Sequence, residues 1–297
     1  MSVRFYIHGE LGNQMFQLAT GIAFSKSTGK KVDFKVAPGY TLRLSEFSTR
    51  EIQLPSEISW RSNGTTSALS KTLHSVCKRI PIRFIFNEKH LSYQEINRLP
   101  AKIFHGYFQS WRYFHQYQEE ILNQFSLIKP SKEFTDLVST LPEDFTAIHI
   151  RRGGSGAAVL AEKFHGLLDS DYYKCAIKLN ETLGGSANYI VFTDNLEKAK
   201  EALKKIGLQD VRIISPIDTH SQVENLQIMS LAKSFIGANS SYSWWAAYLA
   251  KELKTPPIFP RQWYMDPTIS TNDLLLPEWI SLGFSKFLNE VNVRGVK

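Results

Sequence analysis

The 297-residue chain is predicted to be α/β, with two Rossmann-like domains facing a cleft. Three observations lead there. A strand–loop–helix–strand unit opens the chain, strands and helices alternate from residue 145 to 259, and polar clusters stand where strands end. Such alternation builds parallel sheets, whose ligands bind beyond the carboxyl ends of the strands.

Val3-Arg4-Phe5-Tyr6-Ile7 alternates and reads as a strand. It runs into Gly9-Glu10-Leu11-Gly12-Asn13. A helix is expected from near Gln14, carrying Met15, Phe16, Leu18, Ala19, Ile22, Ala23 and Phe24 at helical spacing, and residues 31–35 form the next strand. Leu69, Leu73, Val76 and Ile80 fit a short amphipathic helix ended by Pro81. A strand over 103–107 and a helix over 112–127 follow. Pro130-Ser131 and Leu141-Pro142-Glu143-Asp144 mark a boundary. The expected domains are therefore 1–142 and 143–297, with a C-terminal helix able to pack back on the first. In the second half, strands are expected at 145–150, 188–193, 211–214, 234–237 and 257–259. The helices between and after them are 171–183, 196–206, 222–232 and 244–250.

Composition bounds the function. Hydrophobic residues are 43% and charged residues 21%, as in ordinary globular chains. No run of 18 apolar residues occurs, so no membrane-spanning helix is expected, and Met1-Ser2-Val3-Arg4 opens no secretory signal. Two cysteines far apart, Cys77 and Cys175, make neither a disulfide framework nor a zinc site, which fits a reducing compartment. The net charge is +7. Residues 61–116 hold nine lysines and arginines against two acids, and the remainder is neutral. That segment is either a solvated face or a surface for an anionic partner such as a membrane or a phosphorylated substrate. No nucleic-acid module accompanies the charge, so nucleic acid is not expected as a partner.

Three strand ends carry the chemistry. In His149-x-Arg151-Arg152-Gly153, two guanidiniums beside glycine suit a diphosphate, or form a surface pair beside a turn. In Phe192-Thr193-Asp194-Asn195, Asp194 can accept two N–H bonds from guanine, or cap the next helix. In Asn239-Ser240-Ser241-Tyr242-Ser243-Trp244-Trp245, hydroxyls and backbone N–H groups at a helix start suit phosphate. There the alternative is a serine cap with tryptophans in the core. The loop Gly9-Glu10-Leu11-Gly12-Asn13-Gln14 is neither a dinucleotide fingerprint nor a P-loop. No metal-binding pattern and no serine-nucleophile elbow occur, so no metal is implied.

Taken in order, several segments resemble the α-1,2-fucosyltransferases of glycosyltransferase family 11. They are Leu11-Gly12-Asn13-Gln14-Met15-Phe16-Gln17, Gly106-Tyr107-Phe108-Gln109-Ser110, His149-Ile150-Arg151-Arg152-Gly153, Phe164-His165-Gly166, Phe192-Thr193-Asp194, the stretch Asn239 to Leu249, and Pro260-Arg261-Gln262-Trp263. The resemblance implies a GT-B architecture with the donor nucleotide on the second domain. It implies GDP-β-L-fucose as donor substrate, inversion at the anomeric carbon, and neither metal nor other cofactor. The implied acceptor is O2 of a galactoside on an oligosaccharide or lipid-linked glycan. The bacterial members act in the cytoplasm, where the basic segment suits peripheral contact with the anionic inner membrane. By the same resemblance Arg151 grips the diphosphate and Arg152 supports it. His149 and Asp194 contact guanine, Ser240, Ser241 and Tyr242 lie by the phosphates and ribose, and Asn13 and Gln14 face the sugar and acceptor.

Two departures stand out. Gly9-Glu10 replaces the family's Gly-Gly, and Gly154 replaces the aspartate after Arg-Arg-Gly. With that acid missing, Glu10 is the candidate catalytic base, and His165, Glu162 and Asp169 are the alternatives. The other reading of Glu10 is as a cap of the following helix. The second departure also leaves room for another deoxysugar on GDP, or for a catalytically silent sugar-nucleotide or glycan-binding protein.

Overall fold

The computed structural model describes residues 2–47, 58–61, 84–88, 91–127, 129–153, 164–215, 218 and 221–283. The helix expected over 69–80, residues 62–83 and 89–90 of the basic segment, Gly154, Glu162 and the C-terminal helix lie outside the described residues. The chain divides into two compact units, Met1–Ile128 with Asn272–Leu274, and Lys129–Thr271 with Leu275–Lys297.

In the first unit the strands are β1 (Ser2–Ile7), β2 (Lys31–Val36), β3 (Ile58–Arg61), β4 (Ile85–Asn87) and β5 (Ile103–His105). They pair in parallel in the order β3-β2-β1-β5-β4. The chain steps outward from β1 to β3 and then returns from the far edge, so the order reverses between β1 and β5. A reversal of this kind opens a crevice at the carboxyl ends of the two strands. Phe5 stacks on Phe104 at 4.6 Å, with Phe24 edge-on to Phe5 at 5.6 Å. Burying each such ring stabilises the fold by about 1.5–3 kcal/mol.

The first helix runs Leu11–Thr28, starting earlier than the apolar pattern suggests, because the Glu10 carbonyl already accepts the Gln14 N–H at 3.0 Å. The helix expected over 112–127 is broken instead. Trp111–Tyr113 and His115–Tyr117 form single tight turns, and only Gln118–Gln124 is α-helical. Phe114 is responsible. Its ring is fully buried beside Phe16, and its backbone (φ −139°, ψ −6°) leaves the helical region.

The second unit has β6 (Thr146–Ile150), β7 (Tyr189–Thr193), β8 (Arg212–Ile214), β9 (Ser234–Ile236), β10 (Ile258–Pro260) and β11 (Ile280–Leu282). All pairs are parallel and the order is β11-β10-β9-β6-β7-β8. This is the strand order of a dinucleotide-binding Rossmann sheet, reversing between β6 and β9. Helices Ser170–Thr182, Leu196–Ile206, Gln222–Met229 and Ser241–Leu249 fall between the strands. Tyr172 and Tyr173 are buried beneath the sheet, their hydroxyls donating to Gly237 O at 2.6 Å and His149 O at 3.1 Å. Two Rossmann-like α/β units on one chain match the expected fold class.

Helix Lys132–Ser139 belongs to the second unit, so the division falls at 128–129 and not at the expected 142–143. The tie is Glu224, buried in helix Gln222–Met229, whose two oxygens accept the Ser131 N–H at 2.7 Å and hydroxyl at 2.8 Å. Among the described residues no helix is long and apolar enough to cross a membrane.

Candidate functional site

In the second unit, β6 and β9 end side by side at the reversal. Arg151 is the first residue beyond β6, and the turn beyond β9 leads through Asn239 and Ser240 into helix Ser241–Leu249. His149 lies within β6, 4% exposed, and its imidazole is pushed down to about 4. Burial is the largest cause, the Arg151 charge adds to it, and Asp194 opposes. His165 is likewise pushed down to about 4, by burial and then by Arg151. The Arg151 charge therefore acts on both rings, and both are neutral at pH 7.

The two imidazoles differ in their partners. His165 Nδ1 lies 3.3 Å from the Trp263 carbonyl, which can only accept, so the proton sits on Nδ1 and Nε2 keeps its lone pair. Asn239, 3% exposed, fixes that loop by donating to the carbonyls of His165 at 2.7 Å, Gly166 at 3.3 Å and Trp263 at 3.4 Å. His149 Nδ1 has no hydrogen-bond partner among the described residues. A buried ring nitrogen left this way costs free energy that a ligand group can recover.

Ser240 caps the helix, its hydroxyl accepting the Tyr242 N–H at 3.3 Å, and Ser241 opens the first turn. First-turn N–H groups have no intrahelical acceptor and favour anions. Trp244 and Trp245 are fully buried, Trp244 stacked on Tyr248 at 4.8 Å, so the pair belongs to the core.

Asp194 does not cap the helix start. Its Oδ1 accepts the Arg152 N–H at 2.7 Å and its Oδ2 the Gly153 N–H at 3.1 Å. Gly153 adopts φ +69°, a left-handed backbone that glycine takes without a Cβ penalty. Capping of helix Leu196–Ile206 falls to the neighbouring Asn195. Arg152 donates to the Leu168 carbonyl at 2.8 Å and so ties the loop down. The Tyr242 hydroxyl donates to Gln222 O at 2.6 Å, while its ring stands 5.8 Å from His149. Asp169, an alternative base, is occupied as the cap of helix Ser170–Thr182.

In the first unit the reversal between β1 and β5 carries its own polar cluster. Gln14 is fully buried, donating to Gly9 O at 2.9 Å and Thr41 O at 2.8 Å and accepting from Arg43 N at 2.8 Å. Its amide is engaged by three backbone groups of the first unit. Asn13 is half-buried, and its Oδ1 accepts Gln109 Nε2 at 2.7 Å. Gly9 has φ +79°, and a Cβ there would meet Asn13 Nδ2 at 2.6 Å, so glycine is required for Asn13 to keep this place. Glu10 makes no side-chain cap hydrogen bond. Its carboxylate is 67% exposed and lies 3.5 Å from the Arg43 guanidinium.

The sequence assigns no role to His8, Gln17, Tyr107 and Gln109, although the last three stand in segments that carry the resemblance. Gln17 Oε1 accepts the His8 backbone N–H at 2.9 Å, while Nε2 donates to the Gly106 carbonyl at 3.0 Å and stands 3.2 Å from His8 Nδ1. The first two contacts fix which end of the amide is nitrogen. His8 Nδ1 is therefore the acceptor and its proton sits on Nε2. Tyr107 packs on the His8 ring at 4.7 Å and Tyr40 edge-on at 5.7 Å. The available signal was position, since His8 directly follows β1 and Tyr107-Gln109 closely follow β5. Among the described residues no group of three or more His, Cys, Asp or Glu is placed to hold a metal.

Residues 2–283 match the family model described as Glycosyl transferase family 11. An alpha-1,2-colitosyltransferase of Escherichia coli is 28% identical, covering 92% of this chain and 96% of that protein. Human galactoside alpha-(1,2)-fucosyltransferase 1 is 21% identical over 82% of this chain and 64% of its own length. Among solved structures, POFUT1 in complex with GDP aligns with 87% of this chain and 97% of that chain, at 14% identity and TM-score 0.49.

Proposed function

Because the chain belongs to glycosyltransferase family 11, we propose that this glycosyltransferase moves L-fucose from GDP-β-L-fucose to O2 of a galactoside, with inversion. The observation that carries the donor half is the place of Arg151, directly beyond β6 at the strand-order reversal of the second unit, where its charge adds to burial in lowering both His149 and His165. A diphosphate leaving group gathers negative charge as the C1–O bond to phosphate breaks. A fixed guanidinium and first-turn N–H groups stabilise that charge without a metal. His149, with its orphaned Nδ1, is the residue here that reads the base. Asp194 and Arg152 hold the loop that aims Arg151.

The acceptor half rests on the first unit, where His8, Asn13, Tyr107 and Gln109 gather at the other reversal. As the acceptor oxygen forms its bond to C1, its proton passes to a base. Glu10 is the proposed base, since its carboxylate is exposed and not used in capping. His165 Nε2 is the next candidate. A second reading, transfer of another deoxysugar from GDP, is favoured by the 28% identity to the alpha-1,2-colitosyltransferase. Competition between GDP-L-fucose and GDP-L-colitose in one reaction tests the donor. A preference of more than tenfold for colitose product replaces fucose in the proposal.

A further inference from the structure

Among the described residues, one non-glycine has a left-handed backbone, Phe108, at φ +52°. The conformation is unfavourable for a bulky residue, and such strain persists only where the surroundings impose it. Here three side chains impose it. Glu88, directly beyond β4, accepts the Tyr107 N–H at 2.6 Å and the Phe108 N–H at 3.0 Å, both on Oε2. Gln17 holds the Gly106 carbonyl, and Asn13 holds Gln109. The Phe108 ring is fully buried against Phe5 and Tyr113. Consecutive backbone N–H groups that converge on one anion form a nest, and here the anion is the protein's own carboxylate. No Cβ fits at Gly106, where it would stand 2.6 Å from Glu88 Cβ.

We infer that Glu88 is a positioning residue for acceptor recognition: it holds the strained Tyr107–Phe108 turn, and so fixes the Tyr107 ring against His8 and the Gln109 amide against Asn13. This rests on the reading that the first unit takes the acceptor. The Glu88 carboxyl is buried, and burial pushes it up to about 7, against the pull of its two N–H bonds. Oε1 has no partner among the described residues. Among the described residues Tyr107 and Tyr113 face it, both pushed up by burial first and further by the Glu88 charge. The ionised carboxylate accepts more strongly than the acid. The turn is therefore held tighter above about pH 7 than below it.

The test uses the full chain with GDP-L-fucose and a panel of β-galactosides, with GDP binding measured separately by calorimetry. Glu88→Ala is expected to raise acceptor KM at least tenfold and to leave GDP affinity unchanged. Glu88→Gln, whose amide oxygen can still accept both N–H bonds, is expected to recover most of that loss. Acceptor KM of the wild type is expected to rise as pH falls through about 7, and that of Glu88→Gln to stay level. Unchanged acceptor KM in Glu88→Ala, or an equal loss of GDP affinity, overturns the inference. If Glu88→Ala does not fold, a Glu88→Gln pH profile that coincides with the wild type overturns it. Absence of turnover by the wild type on every galactoside removes the acceptor reading and this inference with it.

Discussion

Asp194 accepts the Arg152 backbone N–H at 2.7 Å, across the boundary between two neighbouring strand ends. Together with its bond to Gly153, this makes Asp194 the clamp of the loop that carries Arg151. Asp194→Asn keeps one acceptor and turns an amide donor against the other N–H. GDP affinity is expected to fall roughly tenfold, about 1.4 kcal/mol, the low end for one charge-assisted hydrogen bond. The ratio of GDP to ADP affinity is expected to stay constant. A selective loss for GDP, measured by calorimetry with both nucleotides, would return Asp194 to guanine recognition.

Arg151→Ala is expected to weaken GDP binding far more. Loss of a charged hydrogen bond to a phosphate oxygen in a shielded site costs on the order of 2–4 kcal/mol. Calorimetry with GDP measures it, and unchanged affinity places Arg151 outside the donor site.

Glu10→Gln is expected to leave GDP affinity intact and to lower kcat on the order of 10²–10⁴-fold, the usual contribution of a positioned base. Near-normal kcat in this variant passes the role to His165, and His165→Phe then carries the same expected loss.

Gln14→Leu separates architecture from recognition. It leaves the Gly9 and Thr41 carbonyls and the Arg43 N–H without their amide partner. A cost of about 1–3 kcal/mol in unfolding free energy is expected, with GDP affinity of the folded protein unchanged. Denaturant titration and calorimetry measure the two separately.

Acidification should destabilise the fold through the two histidines. Their folded values lie near 4, below the ordinary 6.5. Between those limits the unfolded chain binds the extra protons, so stability is full above about 6.5 and is lost as pH falls toward 4. Glu88 acts oppositely. Its folded value, near 7, lies above the ordinary 4.5, so its contribution is present at acid pH and is lost as pH rises through about 7. Unfolding free energies from pH 4 to 8 for wild type, His149→Phe and Glu88→Gln separate the two. The slope should lessen in the first variant and steepen in the second.

The two βαβ patterns, the strand ends and the place of Arg151 directly beyond β6 were legible because alternation and strand-end polarity are local signals. The rest was not local. β3, β4 and β11 lie outside the alternating strand–helix stretches that marked the other strands. Glu88 gains meaning only when β4 and β5 pair and bring it to the Tyr107–Phe108 turn. Asp194 was read by residue type, and type alone cannot tell a base reader from a loop clamp. Gln14 stood in the same motif as Asn13, yet one helical position decides that its amide turns inward.

The most direct measurement is acceptor-dependent GDP release from GDP-L-fucose, followed by mass spectrometry, with the full chain and a panel of β-galactosides. The expected result is stoichiometric GDP and a fucosylated galactoside with the α-1,2 linkage. GDP-L-fucose binding with no turnover on any acceptor would contradict the proposed transfer and make the chain a sugar-nucleotide-binding protein.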